Sequence, residues 1–498
     1  MEKRKDLLTD AVFGSRIAED EVDELHSYFV ETEQWRKVLA GEVDIIFGAK
    51  GAGKSALYSL LVAKKELLRL GRRTIFLAAE NPRGTPAFRD LTTEPALSEE
   101  KFRGLWKLYF LCIAANYLRH HLSMSKISNA AASEVIDQLS QNGLLAQNVN
   151  LITRLKTAYE YLQKYFPTFE AGIADPSTGL QFKGKITLAE PSSEQRGLGF
   201  RSLDNLLQRL NCALQENAVT CWMALDRLDV AFADSQELEA NAIRSLFRAY
   251  LDMISLSHIK VKIFLRDDIW RRIVGPGFRE ASHITRTLNL NWDHQSLLNL
   301  IVRRVASNIH ICDYYDVNQD ELLSSAALQE VFFNRVFPKQ VDIGLSKPAT
   351  IDWMLSRTAD GTKRTAPREL IHLLLEARDE QLKRYQNGNG EPEDNILFDK
   401  LSIRSALPAV SKARYEQTLC AEYPALKVYL SPLEGEKTQQ TTETLAKLWK
   451  CNSVEAFEAS EKLVEAGFFE QRGSKESRIF WVPFLYRDAL KMVQGAAE

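Results

Sequence analysis

The chain has 498 residues, room for roughly three domains at about 150 residues each. With 45% hydrophobic and 26% charged residues, 24 glycines and 15 prolines, it has ordinary globular usage and lies outside the collagen-like, low-complexity and largely disordered classes. Its 64 basic and 66 acidic residues leave a net charge of −2, so no global field draws it to nucleic acid or an anionic membrane, and any such partner must be met locally.

The opening MEKRKDLLTD is basic but lacks the apolar core of a secretory signal. Asp20 to Leu39 carries Val22, Leu25, Tyr28, Phe29 and Val38 near helical spacing, and Gly41 breaks it before the buried-strand run Val43 to Phe47. A glycine-rich turn follows, then a helix over Ser55 to Leu70, a stop at Gly71 and a strand over Thr74 to Ala78. Strand, turn, helix, strand opens an α/β domain. Glu99 to Leu122 is apolar over too broad an arc for a surface helix, with Ser98 as its cap; its richest apolar stretch, Leu105 to Leu118, is short of the about 20 residues a bilayer needs.

Residues 123–200 interrupt this rhythm with helical pieces and the Pro-, Ser- and Gly-bearing stretch Asp175 to Gly199, and read as a partly mobile insertion. The rhythm resumes with a helix over Ser202 to Gln215, a strand over Val219 to Leu225, a helix over Leu238 to Ser255 and strands over Lys260 to Leu265 and Thr285 to Leu290. Beyond Trp292 the pattern is helical to about residue 430, with Gln386 to Pro392 a turn inside it. The end runs helix (Thr442 to Lys450), helix (Ser453 to Ala466), strand (Phe468 to Gln471), turn, strand (Arg478 to Val482) and a short helix, the order of a winged helix. The expected organisation is an N-terminal segment 1–40, an α/β P-loop NTPase core 41–290 with a parallel sheet, a helical lid 291–430 and a winged-helix-like module 437–498.

The strongest motif is Gly48-Ala-Lys-Gly51-Ala52-Gly53-Lys54-Ser55-Ala56, a full match to GxxxxGK[ST] between a predicted strand and a predicted helix. Glycines let the backbone fold so that several N–H groups face phosphate oxygens, the helix N-terminus adds its positive end, Lys54 neutralises the outer phosphates, and Ser55 can ligate Mg²⁺. The plain alternative is a glycine turn that only joins a strand to a helix. The hydrophobic run Val219 to Leu225 ends in Asp226, the Walker B candidate and second Mg²⁺ ligand, with a turn-capping Asp as the alternative. Arg227 follows where related ATPases carry a catalytic glutamate, and Asp229 comes next but one. Arg266, at the end of the middle strand, fits a sensor of the terminal phosphate or a partner of nearby carboxylates. Arg368, in Thr365-Ala-Pro-Arg-Glu369, fits a lid residue reaching phosphate or a wet helix end.

Cysteines 112, 212, 221, 312, 420 and 451 show neither CxxC spacing nor clustering, which argues against a zinc site or disulfide framework and for a reducing cytoplasm. His120 and His121 are adjacent on a helix and so diverge, and the other six histidines are scattered. No HExxH, GxSxG or guanine-reading N/TKxD motif is present, the last favouring ATP over GTP.

With the loop, the strand ending LDRLD, the strand ending FLRDD, the LNW segment at Leu290 to Trp292 and the early Phe13-Gly-Ser-Arg16-Ile-Ala-Glu19, the chain resembles AAA-type P-loop ATPases near the origin-recognition and STAND branches, and among them a group of bacterial P-loop ATPases that begin with an FGxxxAE-like segment. The resemblance spans about residues 11–80 and 200–380. It implies that Phe13 to Arg16 border the adenine, Asp226 is Walker B, Arg266 the first sensor, Arg368 the second, and Arg279 or Arg286 a finger acting on a neighbouring subunit. Asp229 then stands in as the water-positioning acid, and Arg227 weakens the case for efficient hydrolysis.

Three functions follow as expectations. The first is a cytoplasmic ATP-dependent switch or remodeller that works as a homo-oligomer, with Mg-ATP between core and lid. The second is a nucleotide-gated scaffold that hydrolyses little and controls an effector protein, with a bacterial antiviral defence or stress role by analogy. The third is DNA binding through the winged helix; against it, residues 437–498 hold nine basic and nine acidic residues, although the wing carries Arg472, Lys475 and Arg478.

Overall fold

The computed structural model describes residues 2–16, 29–30, 32–63, 73–79, 98–146, 150–170, 186–188, 190–197, 201–228, 236–388, 390–474 and 477–497. They form two compact units, one of residues 33–49 and 54–290 and one of residues 1–32, 50–53 and 291–498.

The first unit is an α/β core built on a parallel sheet. Its sheet contains β1 (Ile45–Gly48), β2 (Arg73–Ala78), β3 (Val219–Leu225), β4 (Ile259–Arg266) and β5 (Thr287–Asn289), in the order β2-β3-β4-β1-β5, all parallel. Every residue of β1 and β3 is buried, as expected of parallel strands covered on both faces. The helix Glu99–Ser125 is buried from Leu105 through Ala115 with no polar stripe, and its cap Ser98 accepts the Lys101 N–H. Its polar atoms are paired inside: the Trp106 indole donates to the Ala242 carbonyl and the Tyr109 hydroxyl to that of Ala79, each at 2.8 Å.

The described helices of residues 123–200 pack into the main core. The helices Ala130–Gln141 and Leu151–Glu170 bury Ala132, Val135, Leu139, Leu155 and Ala158 in the same hydrophobic cluster as Cys221 and Met223 of β3. An apolar stripe at helical spacing therefore belongs to the core here. Most of the Pro-, Ser- and Gly-bearing stretch lies outside the described residues, as does Asp20 to Tyr28; helix Glu33–Leu39 is what is described of the rest of that early segment.

At the start of β1 an ionic cluster is buried. Asp44, 2% exposed, accepts from Lys262 Nζ at 2.8 Å, Arg286 Nε at 2.6 Å and the Tyr250 hydroxyl at 3.1 Å. Lys262 Nζ also lies 4.1 Å from the Trp222 ring centroid. Burial pulls the Lys262 ammonium below the ordinary lysine range, opposed by Asp44.

The second unit is helical and ends in a module of helices and a four-stranded sheet. Its long helices are His294–Ala306, Ala326–Val336, Pro367–Gln386 and Lys400–Arg414, the third opened by a proline at its first position. The module carries the two expected helices, Thr442–Trp449 and Ser453–Glu465, and a mixed sheet of β6 (Lys437–Gln440), β7 (Glu470–Gly473), β8 (Arg478–Trp481) and β9 (Val493–Ala496), ordered β9-β6-β8-β7. The strands β6, inside this sheet, and β9, at its edge, were not expected. Leu445, Leu463, Phe469 and Tyr486 of the module share one hydrophobic cluster with Leu370, Leu407 and Val410 of the helical region. Among the described residues no helix is long and apolar enough to cross a membrane.

Candidate nucleotide site

In the α/β unit, β1 runs straight into the loop at Gly48 and the helix Lys54–Ala63 leaves it. The first amides of that helix have no partner within it and point toward the loop. Lys54 Nζ donates to the carbonyls of Gly48 at 2.8 Å and Ala49 at 2.9 Å, so the side chain folds back along the loop. Ser55 Oγ donates to Asp226 Oδ2 at 2.8 Å. Asp226, only 4% exposed, follows the last residue of β3, and β4 lies between β3 and β1. Two oxygen donors held together beside a helix N-terminus are the hard-ligand set that suits Mg²⁺.

Arg227 has φ of 59°, the left-handed region uncommon for a residue with a side chain. The chain thus turns immediately after Asp226 and does not continue extended. Asp229 lies outside the described residues. Arg266 forms a two-pronged pair with Asp268, Nε to Oδ1 at 3.0 Å and Nη2 to Oδ2 at 2.7 Å. That geometry is the second of the two roles its sequence left open, a partner of nearby carboxylates. Arg286 is bound to Asp44 and to the Gly41 carbonyl, whereas Arg279 is exposed at the start of a short 3-10 turn. Of the two finger candidates, Arg286 is a structural counter-ion to a buried carboxylate.

Residues 50–53 of the loop group with the helical unit. Gly51 and Gly53 have φ of +79° and +97°, where a side chain would be strained. A Cβ at Gly51 would stand 3.1 Å from the Cβ of Arg368 and 3.4 Å from that of Ala366, so the start of the helix Pro367–Gln386 packs against the loop backbone. Ala52 is buried and its carbonyl accepts from Trp292 Nε1 at 2.9 Å. Lys50 is ion-paired with Glu422.

Phe13, expected beside the adenine, is 0% exposed in the helical core, with its carbonyl accepting from Arg304 at 2.6 Å and its ring 6.2 Å from that of Phe398. A phenylalanine amid that many apolar neighbours is spent on packing. Arg16 Nη1 lies 3.2 Å from His372 Nε2 in the same helix as Arg368.

The residue after Arg368 connects this helix to the C-terminal module. Glu369 Oε1 accepts from Arg414 at 2.9 Å, and Arg414 also donates to Asp360 at 3.3 Å and the Tyr486 hydroxyl at 3.4 Å. Burial works against the Arg414 charge, yet Tyr486, Glu369 and Asp360 hold its pKa well above the ordinary guanidinium value.

Trp292, Glu422 and Arg414 were not assigned roles from sequence. Trp292 carried a visible signal, an aromatic closing the LNW segment, whereas Glu422 and Arg414 sit in helical chain with no motif around them. On the wing, Arg472 forms two hydrogen bonds to Glu470 and stacks 3.7 Å from the Trp481 ring, and Arg478 is paired with Glu461. Lys475 lies outside the described residues.

No protein-family model matches this chain, and no curated protein matches it. Solved structures similar to it include the Aeropyrum pernix ORC1 protein in complex with DNA, 12% identical, covering 92% of this chain and 91% of that one with a TM-score of 0.34. They also include the ORC2 protein of the same organism, solved as ADPNP-ADP complexes, 11% identical, with 92% of each chain covered and a TM-score of 0.29. The fold described above stands on the strand order and loop geometry alone.

Proposed function

We propose that this chain binds Mg-ATP at residues 48–56 and works as a nucleotide-dependent switch with ATPase activity. The observation that carries the reading is the Ser55–Asp226 hydrogen bond, which joins the last position of a complete phosphate-loop motif to the acid ending a buried parallel strand. Ser55 and Asp226 would hold Mg²⁺, which when bound supplies charge neutralisation for the β- and γ-phosphates. Loop amides and the N-terminus of the helix Lys54–Ala63 would bind the phosphates, with Lys54 turning from the Gly48 and Ala49 carbonyls onto them. Water attack in line on the γ-phosphate needs positioning more than covalent help. Arg368, whose Cβ lies near Gly51, would meet phosphate oxygens, and exposed Arg279 would act on a second copy in a homo-oligomer.

The test is steady-state ATP hydrolysis across protein concentrations, with Lys54→Ala and Asp226→Ala as controls. Specific activity that rises with concentration and is abolished by both substitutions is expected. Activity unaffected by either places hydrolysis elsewhere.

Arg227 favours a second reading, a nucleotide-gated scaffold that hydrolyses slowly and controls an effector protein, with the bacterial defence role resting on resemblance alone. It differs in one observable, tight nucleotide binding with turnover at background. DNA binding gains little from the wing, because Arg472 and Arg478 each face a carboxylate of their own module.

A further inference from the structure

We infer that Trp292 is a positioning residue for the phosphate loop, setting the direction of the Gly53 amide through a hydrogen bond to the preceding carbonyl; the inference rests on the nucleotide reading of residues 48–56. Trp292 follows β5 and stands just before Asp293, whose side chain caps the helix His294–Ala306 by accepting from the Ser296 N–H at 2.7 Å. The indole is half-buried against the hydrophobic core of the helical unit. It is fixed on both sides, by the cap and by packing, before it meets the loop.

Its Nε1–H donates to the Ala52 carbonyl at 2.9 Å, and its Cζ2 lies 3.8 Å from where a Cβ of Gly53 would stand. In a planar trans peptide the carbonyl of one residue and the amide of the next point in opposite directions. With the Ala52 carbonyl turned to the indole, the Gly53 N–H is turned away from it. Gly53 holds this orientation at φ of +97°, a conformation open to glycine. Gly53 is the glycine directly before Lys54, where a phosphate loop presents backbone donors to its anion. Because Ala52 is 5% exposed, its carbonyl has little access to water, and losing the indole donor leaves it unsatisfied.

The experiment uses the full chain and three variants, Trp292→Phe, Trp292→Ala and Lys54→Ala. Displacement of a fluorescent ATP analogue by ATP, ADP and inorganic tripolyphosphate reads affinity, and thermal unfolding without nucleotide reads fold integrity. Trp292→Phe keeps an aromatic ring but loses the donor; it is expected to weaken ATP, ADP and tripolyphosphate alike, by about threefold to tenfold, while shifting the nucleotide-free midpoint by less than about 2 °C. Trp292→Ala should weaken them further and also lower the midpoint. Equal affinities in wild type and Trp292→Phe, with Lys54→Ala abolishing binding, overturn the positioning role and leave the site intact. A loss for ATP but none for tripolyphosphate also overturns it, since the lost contact would then serve the nucleoside. A wild-type chain that binds none of the three overturns the nucleotide reading and this inference with it.

Discussion

Ser55 and Asp226 are 171 positions apart and meet through one hydrogen bond, Oγ to Oδ2 at 2.8 Å. A buried parallel strand brings the acid to the loop, and the first turn of the following helix brings the hydroxyl. If the two ligate one Mg²⁺, Ser55→Ala and Asp226→Asn should each reduce ATP affinity in magnesium by tenfold or more while changing it little in EDTA. Equilibrium binding in the two buffers checks this. Equal losses in both would show that the pair only braces the loop.

Asp44 is the keystone of a buried ionic cluster, and removing it leaves Lys262 uncompensated at 1% exposure. Asp44→Ala should cost about 3–5 kcal/mol of stability in the α/β unit, measured by denaturant unfolding. Arg286→Ala should also lower stability. Arg279→Ala, by contrast, should leave unfolding unchanged and remove any rise of specific activity with protein concentration.

Much of the α/β unit was legible because its signals are local. A complete loop motif and flanking hydrophobic runs locate β1, β3, β4 and the described parts of their helices within a few residues. What was missed depends on distant partners. Strand β6 reads Lys-Thr-Gln-Gln and β9 Val-Gln-Gly-Ala, without alternation or β-branched enrichment, so pairing with β8 and with each other makes them strands, not propensity. The helices within 123–200 were visible, but that their apolar stripes close the main core was not, because a stripe does not name the surface it covers. The surroundings of Phe13 were likewise out of reach: the early motif is readable, while the Arg304 bond to its carbonyl and the Phe398 ring beside its own come from nearly 300 residues or more away. Arg266 was readable to two roles, and its two-pronged pairing with Asp268 was not legible from sequence.

Glu369→Ala should destabilise the helical unit by about 3 kcal/mol or more, because it leaves Arg414 buried with less countercharge. Glu369→Gln keeps an acceptor for Arg414 and should cost less. Unfolding of both variants checks the order, and a larger loss for Gln than for Ala would contradict the pairing.

His372 is held below the ordinary histidine range, first by burial and then by Arg16, against the opposing pull of Glu376 and Glu369. The unfolded chain therefore binds this proton more readily than the folded one. His372 thus takes stability away as pH falls below about 6.5 and gives it back as pH rises through that value. His372→Gln should flatten this part of a stability–pH curve measured from pH 8 to 5. An unchanged slope would place the dependence on other groups.

Arg227 sits at φ of 59° directly after Asp226. Arg227→Asn should be tolerated there, whereas Arg227→Val, β-branched and averse to the left-handed region, should be less stable than Arg227→Asn by about 1 kcal/mol or more. Thermal unfolding of the pair decides it, and equal midpoints would mean the backbone relaxes.

Titration calorimetry of the full chain with ATP in magnesium, beside Lys54→Ala, tests most directly whether residues 48–56 bind Mg-ATP. The expected result is one saturable site per chain in the wild type and loss of binding in the variant, with both proteins unfolding at the same temperature in the absence of nucleotide. Binding of equal strength in both proteins, or none in the wild type, would contradict it.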